Sequence, residues 1–302
     1  AGHILGSAMI EVKYNNGSRK IVFTGDLGNP PVPLLRPTEK ITDANYLVID
    51  STYGDRLHEG KKERSIKLER VIEDTIREGG VLMLPAFSLE RTQEILFEIN
   101  NLVEKERVPR APIFLDSPLA IKATRIYKEY DRYYNKEAKY IMSTGDDLFQ
   151  FPGLKYTLKT EESKDIINVS KPKIIIAGSG MLNGGRIIHH VKNYISDPRS
   201  TLLFVGYQAS RTMGRAIKDG ARHITIFGEK IPVKARIESI HGYSAHPDRD
   251  QILDFIQNTS DSLEKIFTVH GELKSVMFLV QRSRDYLGVD AVAPKLGEKF
   301  EI

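Results

Sequence analysis

The middle of the chain alternates short apolar runs with amphipathic stretches, and this alternation restricts the fold more than any other feature. Val81–Pro85, Ile113–Asp116, Lys173–Ala177 and Thr201–Gly206 are apolar on both faces and too short for helices, as strands buried between helical layers are. From Glu63 to Glu78, Ile66, Leu68, Val71, Ile72, Thr75 and Ile76 recur at helical spacing, and Gly79–Gly80 ends the pattern. Further helices are expected over Glu90–Lys105, Ala120–Tyr134 and Arg186–Ile195, with a polar, irregular segment through Lys164. Strand, helix and strand in succession build parallel βαβ units.

The two ends have a different texture. Ala8–Lys13 and Lys20–Thr24 flank the turn signal Asn15–Asn16–Gly17, which predicts a hairpin, and Tyr46–Asp50 reads as a third strand. Beyond about Lys230, short strands at Val233–Ile240, Lys265–Val269 and Val292–Pro294 accompany helices at Arg249–Gln257 and Glu272–Tyr286. The pattern predicts an outer α/β sandwich made by residues 1–54 and 235–302, with a parallel α/β domain, residues 55–234, inserted between them.

Composition narrows the chemistry. Cysteine is absent, so any metal is held by His, Asp or Glu, and a reducing, cytoplasmic location is expected. Lys plus Arg number 44 against 40 for Asp plus Glu, a balance that permits an anionic partner without requiring one. No apolar run approaches the roughly 18 residues of a bilayer span, so no membrane partner is expected. The chain opens on Ala1–Gly2–His3 without a start methionine, and residues upstream of it are expected.

The eight histidines divide by their neighbours. His3 in Ala-Gly-His, His246 in Tyr-Ser-Ala-His and His270 in Val-His-Gly-Glu sit among small residues, where a ligand can approach closely. Asp26 in Thr-Gly-Asp and Asp50 in Val-Ile-Asp-Ser-Thr each follow a strand-like run, where α/β proteins place reactive groups. Imidazole and carboxylate suit zinc, and a carboxylate can bridge two cations roughly 3.5–4 Å apart.

Ala-Gly-His3, Thr-Gly-Asp26, Asp50-Ser-Thr-Tyr-Gly, Tyr-Ser-Ala-His246 and Val-His270-Gly-Glu together resemble metallo-β-lactamase motifs and motifs A, B and C of the β-CASP nucleases. That group contains the eukaryotic pre-mRNA 3′-end cleavage nuclease and its bacterial and archaeal relatives. Asp26 and Asp50 are 24 residues apart, as are His246 and His270, with a long insertion between the pairs. Asp116–Ala120, Gly178–Met181 and Gly206–Gln208 also look like signatures of the inserted domain. The resemblance implies a metallo-β-lactamase αββα sandwich, its N-terminal part missing, interrupted by a β-CASP domain. It assigns His3, Asp26 and His270 to two zinc ions, with Asp26 bridging, and Asp50 with His246 to acid–base work. A histidine at position 270 goes with the RNA-processing branch, which implies an endoribonuclease, with 5′ exonuclease capacity allowed, acting on single-stranded RNA between the two domains.

The family's His-x-His-x-Asp-His motif does not occur here. The resemblance therefore also implies a fragment with an incomplete metal site, inactive by itself, and keeps open a non-catalytic RNA-binding scaffold as the alternative. It allows a homodimer. Arg91, Ser117, Gly180, Arg186, Arg211 and Ser244 are the candidate RNA contacts. His189 and His190 read as helix-surface residues rather than ligands, and the tyrosines of Tyr127–Tyr134 as core.

Overall fold

A computed structural model describes residues 1–302, and they divide into two compact units, Ala1–His58 with Ala245–Ile302, and Glu59–Ser244. In the first segment β1 (Ile10–Tyr14) and β2 (Arg19–Phe23) form the expected antiparallel hairpin, and β3 (Tyr46–Asp50) runs parallel to β2.

The second unit then begins with α1 (Lys61–Arg77), β4 (Val81–Pro85), α2 (Arg91–Glu104), β5 (Ile113–Leu115) and α3 (Pro118–Glu129). The segment expected to be irregular instead holds α4 (Lys136–Ser143), β6 (Leu154–Tyr156) and α5 (Thr160–Asp165). Helix α4 starts because Asn135 caps it, its Oδ1 accepting from the Ala138 amide at 2.9 Å. Next come β7 (Lys173–Ala177), α6 (Ile187–Tyr194), β8 (Thr201–Phe204) and α7 (Met213–Lys218). A hairpin of β9 (His223–Ile226) and β10 (Glu229–Pro232) leads to β11 (Arg236–Ser239).

Six strands form a wholly parallel sheet in the order β11-β8-β4-β7-β5-β6. Both central strands, β4 and β7, are buried throughout, as a sheet covered on both faces requires. Val81 and Met83 share a core with Ile187 and Val191 of α6. Leu82 and Leu84 alternate to the other face, and α1 packs against β4.

The return to the first unit falls at Ala245, ten residues later than expected, because β11 pairs with β8 in the inserted sheet. There α8 (Arg249–Gln257), β12 (Lys265–Val269), α9 (Leu273–Leu287) and β13 (Asp290–Val292) complete a five-stranded sheet, β1-β2-β3-β12-β13. Ile252 and Ile256 of α8 and Leu279 and Val280 of α9 share a core with Leu47, Ile49 and Ile266. This is one sheet with one helical layer of the expected sandwich. No helix is long and apolar enough to cross a membrane.

One polar network stands out in the second unit. Asp116, fully buried after β5, accepts from His190 Nε2 at 2.7 Å, Ser163 Oγ at 2.6 Å, Thr157 Oγ1 at 2.7 Å and Arg186 Nη1 at 2.9 Å. Burial pushes its carboxyl up, but the bonds from His190, Ser163 and Thr157 outweigh burial and bring it down to about 2. His190 is thus buried, contrary to the helix-surface expectation, because it turns inward to this carboxylate. A depressed folded-state value stabilises the fold above the ordinary value of 3.8 and loses that stabilisation as pH falls toward 2. Urea titrations should show about 2 kcal/mol of stability disappearing over that interval, and Asp116→Asn should flatten the decline. Asp116→Ala, which strands buried donors, should cost about 3 kcal/mol at neutral pH.

Candidate metal centre

The parallel pairing of β3 with β12 brings Asp50 opposite Val269, so the loops after both strands open at the same edge of the five-stranded sheet. Asp50 ends β3, His270 follows β12, Asp26 follows β2, and His246 precedes α8. His3 is carried there by a close approach of two loops. The Gly28 amide donates to the Ala1 carbonyl at 2.9 Å, and a Cβ on Gly28 would stand 2.1 Å from the Gly2 carbonyl oxygen, which only glycine permits.

Asp26 stands between two imidazoles. Its Oδ2 is 3.8 Å from His3 Nε2 and its Oδ1 is 3.6 Å from His270 Nε2. His3 Nδ1 lies 3.3 Å from the Leu27 carbonyl oxygen. A carbonyl only accepts, so Nδ1 carries the proton and Nε2 turns a lone pair toward Asp26. Burial, then the neighbouring His246, hold the His3 pKa below its ordinary value, which keeps that ring neutral. Two acceptors facing each other at this distance suit a cation between them. Ligand atoms of His3, Asp26 and His246 all lie within 4.8 Å of one another. The donor set therefore fits a metal ion, and this group includes His246, expected as the acid, and not His270, expected as a ligand.

Beside these residues lies a buried pair. His246 Nδ1 is 2.7 Å from Asp50 Oδ2, and the Asp50 side chain is 1% exposed. Burial raises the Asp50 carboxyl, but the His246 imidazole and the Thr52 hydroxyl and amide outweigh it and hold the group below the usual carboxylate range. Asp50 is therefore the acceptor and His246 Nδ1 the donor, which leaves His246 Nε2 for exchange of a proton. The His246 ring is 4.6 Å from His3 and 5.7 Å from His270, centroid to centroid.

Two neighbours escape a reading of the sequence. Thr52 Oγ1 lies 2.6 Å from Asp50 Oδ1 and 2.8 Å from the His270 carbonyl oxygen, while its amide donates to Asp50 at 2.9 Å. The hydroxyl thereby braces His270, whose φ of 57° lies in the left-handed region. The following Gly271 has no room for a Cβ, which would meet the Ser51 carbonyl oxygen at 2.6 Å. His58, isolated in the sequence, donates from Nε2 to the His246 carbonyl at 3.1 Å and rests edge-on against Tyr53 at 4.5 Å. The Ser-Thr pair after a strand-end aspartate was the available signal for Thr52, whereas nothing in the sequence points to His58.

The expected RNA contacts lie in the second unit and fare unevenly. Arg91 is buried and ion-paired with Glu94, so it offers no surface charge. Ser117 caps α3, accepting from the Ala120 amide at 3.3 Å. Gly180 makes room for the Phe87 ring, which a Cβ would touch at 2.9 Å. Arg186 is spent on Asp116 and the Thr157 and Leu158 carbonyls. Ser244 is buried behind the His241–Tyr243 turn. Arg211 alone is an exposed cation with no hydrogen bond or ion pair.

A valine at position 52 keeps the shape and removes the hydroxyl. Thr52→Val should lower stability by about 1–2 kcal/mol in urea titrations, and Thr52→Ser should recover most of it.

Comparison with known proteins agrees with this geometry. A Beta-Casp domain model matches residues 92–217, and a model described as a Zn-dependent metallo-hydrolase RNA specificity domain matches residues 230–294. Ribonuclease TTHA0252 of Thermus thermophilus is 37% identical over 92% of this chain and 63% of its own length. Transcription termination factor FttA is 32% identical in Methanosarcina mazei, over 92% of this chain and 45% of the relative. In Pyrococcus abyssi it is 33% identical, over 97% and 46%. The chain thus spans about half to two thirds of the length of these relatives. With its interrupted outer unit, its parallel inserted sheet and both matching domains, the chain belongs to the β-CASP family of metallo-β-lactamase-fold proteins.

Proposed function

We propose that the protein is a zinc-dependent ribonuclease that hydrolyses phosphodiester bonds of single-stranded RNA. The observation that carries this reading is the setting of Asp26 between His3 and His270, beside the buried Asp50–His246 pair. The relative named a ribonuclease and the domain described by RNA specificity support RNA as the substrate.

His3, Asp26 and His270 would hold the metal, and Asp26, with one oxygen toward each imidazole, suits a pair of ions. A bound zinc supplies a water with a pKa near 7 and positive charge for phosphate oxygens. Asp50 holds the His246 ring in one tautomer. His246 can then deliver a proton from Nε2 to the departing ribose oxygen. His58, bonded to the His246 carbonyl, fixes the backbone that carries this ring. The named side chains are fewer than two four-coordinate ions need, so residues 1–302 by themselves should turn over RNA poorly.

The test uses the intact protein and an end-labelled single-stranded oligoribonucleotide. Asp50→Asn should cut the initial cleavage rate by about 10²–10⁴ while bound zinc, read by atomic emission, stays at the wild-type level. His270→Ala should lower the zinc content itself. Wild-type cleavage by the Asp50→Asn protein at full zinc content would overturn the acid–base assignment.

A further inference from the structure

We propose that a cavity beside the β9–β10 turn binds one unpaired nucleobase of the RNA, stacked on Phe227. This inference rests on the ribonuclease reading and adds a contact site in the second unit, within Glu59–Ser244.

The cavity has a volume of about 310 Å³, at the small end of ligand sites. Its floor is apolar and buried, formed by Leu182, Ile188 and Ile226. Exposed residues rim it: Asn183, His189, Thr225 and Phe227. The Asn183 and Thr225 side chains make no hydrogen bond within the protein. The loop carrying Asn183 is nevertheless closed, since the Asn183 amide donates to Ser179 Oγ at 3.0 Å and the Ser179 amide donates to the Gly184 carbonyl at 3.2 Å. The Asn183 side chain, its donor and acceptor both unused and its backbone fixed in a closed loop, can read the edge of a base.

Phe227 is the unusual residue. It is 63% exposed and occupies the first position of a two-residue turn in which φ is 51° at Phe227 and 80° at Gly228. Asparagine, aspartate or glycine take that conformation readily, whereas a bulky aromatic is strained there. A strained, exposed aromatic at a position that asparagine would fill without strain points to use of its ring face. The His189 ring lies 5.0 Å away and Lys192 Nζ 5.8 Å from the ring centroid.

Charge selects the occupant. Lys230 pairs across the hairpin with Thr225 and shares its face, and Lys192 stands at the ring. Glu229, the acid of the hairpin, is bonded to Lys192 at 2.6 Å. An apolar slot with an aromatic wall, polar edges and Lys230 on the face of Thr225 fits a base whose phosphates lie at the rim better than it fits an apolar peptide.

The test measures binding of a fluorescein-labelled single-stranded 12-nucleotide RNA to the intact protein, with the melting temperature recorded alongside. Phe227→Asn should weaken binding about tenfold while the melting temperature holds or rises, because asparagine relieves the turn. Asn183→Ala should also weaken binding, and RNA carrying 5-iodouridine should photocrosslink to the peptide containing Phe227. Unchanged affinity in Phe227→Asn would overturn the inference. If affinity and melting temperature fall together, the crosslink decides, and no adduct on the Phe227 peptide overturns it. A wild-type protein that binds and cleaves RNA while Phe227→Asn is indistinguishable from it removes only this site. A wild-type protein that neither binds nor cleaves RNA removes the ribonuclease reading and this inference together.

Discussion

The carboxylate of Asp50 is the constraint on which the outer unit converges. It receives the His246 imidazole from a point 196 residues further along the chain, and the Thr52 amide and hydroxyl from its own loop. The same hydroxyl reaches the His270 carbonyl. A buried carboxylate without such donors would be driven toward its neutral form, and the loops after β3 and before α8 would lose their common acceptor. Closing so long a loop carries an entropic cost that grows only slowly with length. A long insertion can therefore be accommodated between β3 and α8, provided both ends return to one edge of the sheet. The β3–β12 pairing ensures that return in register, with Asp50 beside Val269.

Why the inserted unit tolerates its polar interior follows from similar arithmetic. Arg64 is 2% exposed, donates to the Gly242 carbonyl at 2.9 Å and stacks on Tyr243 at 5.2 Å. Its partner Glu98 lies 3.9 Å away, and burial pushes that carboxyl up to about 7. A carboxylate whose folded value is raised opposes folding as pH climbs from about 4.5 toward 7. Asp116 works in the opposite sense, its value lowered by the bonds from His190, Ser163 and Thr157 despite burial. Glu98 and Asp116 thus pull the unit's pH response in opposite directions, burial prevailing at Glu98 and hydrogen bonds at Asp116.

How much of this could be read in the sequence depended on whether a residue's role was written in its immediate neighbours. His3, Asp26, Asp50, His246 and His270 each sit at a strand end or among small residues, and the structure gathers all five at one sheet edge. His58 lacks such surroundings, and partners distant in the chain, among them a carbonyl 188 residues away, give it a place. The arginines misled for a related reason. A basic residue in a polar stretch reads as exposed, yet Arg91 finds Glu94 one helical turn on, and Arg186 finds a buried carboxylate 70 residues back. The strand Arg236–Ser239 was legible as a strand but not as belonging to the inserted sheet, since its neighbour β8 is chosen by tertiary pairing and not by local pattern.

The candidate metal centre is buried on one side and open on the other. Side chains of Asp50, His3 and His246 are 1%, 13% and 15% exposed, whereas Asp26 and His270 reach 44% and 61%. The buried side has its tautomers fixed by a backbone carbonyl and a carboxylate, so it needs no cation to keep its arrangement. On the open side, Asp26 and His270 meet only as two groups 3.6 Å apart, a separation that a shared cation would make favourable and that nothing else in the loop enforces. Thr52 holds the His270 backbone from the buried side, while its ring stands exposed. A metal would therefore order the exposed half against a half already in place, and the work of building the site falls mainly on the interior of the fold.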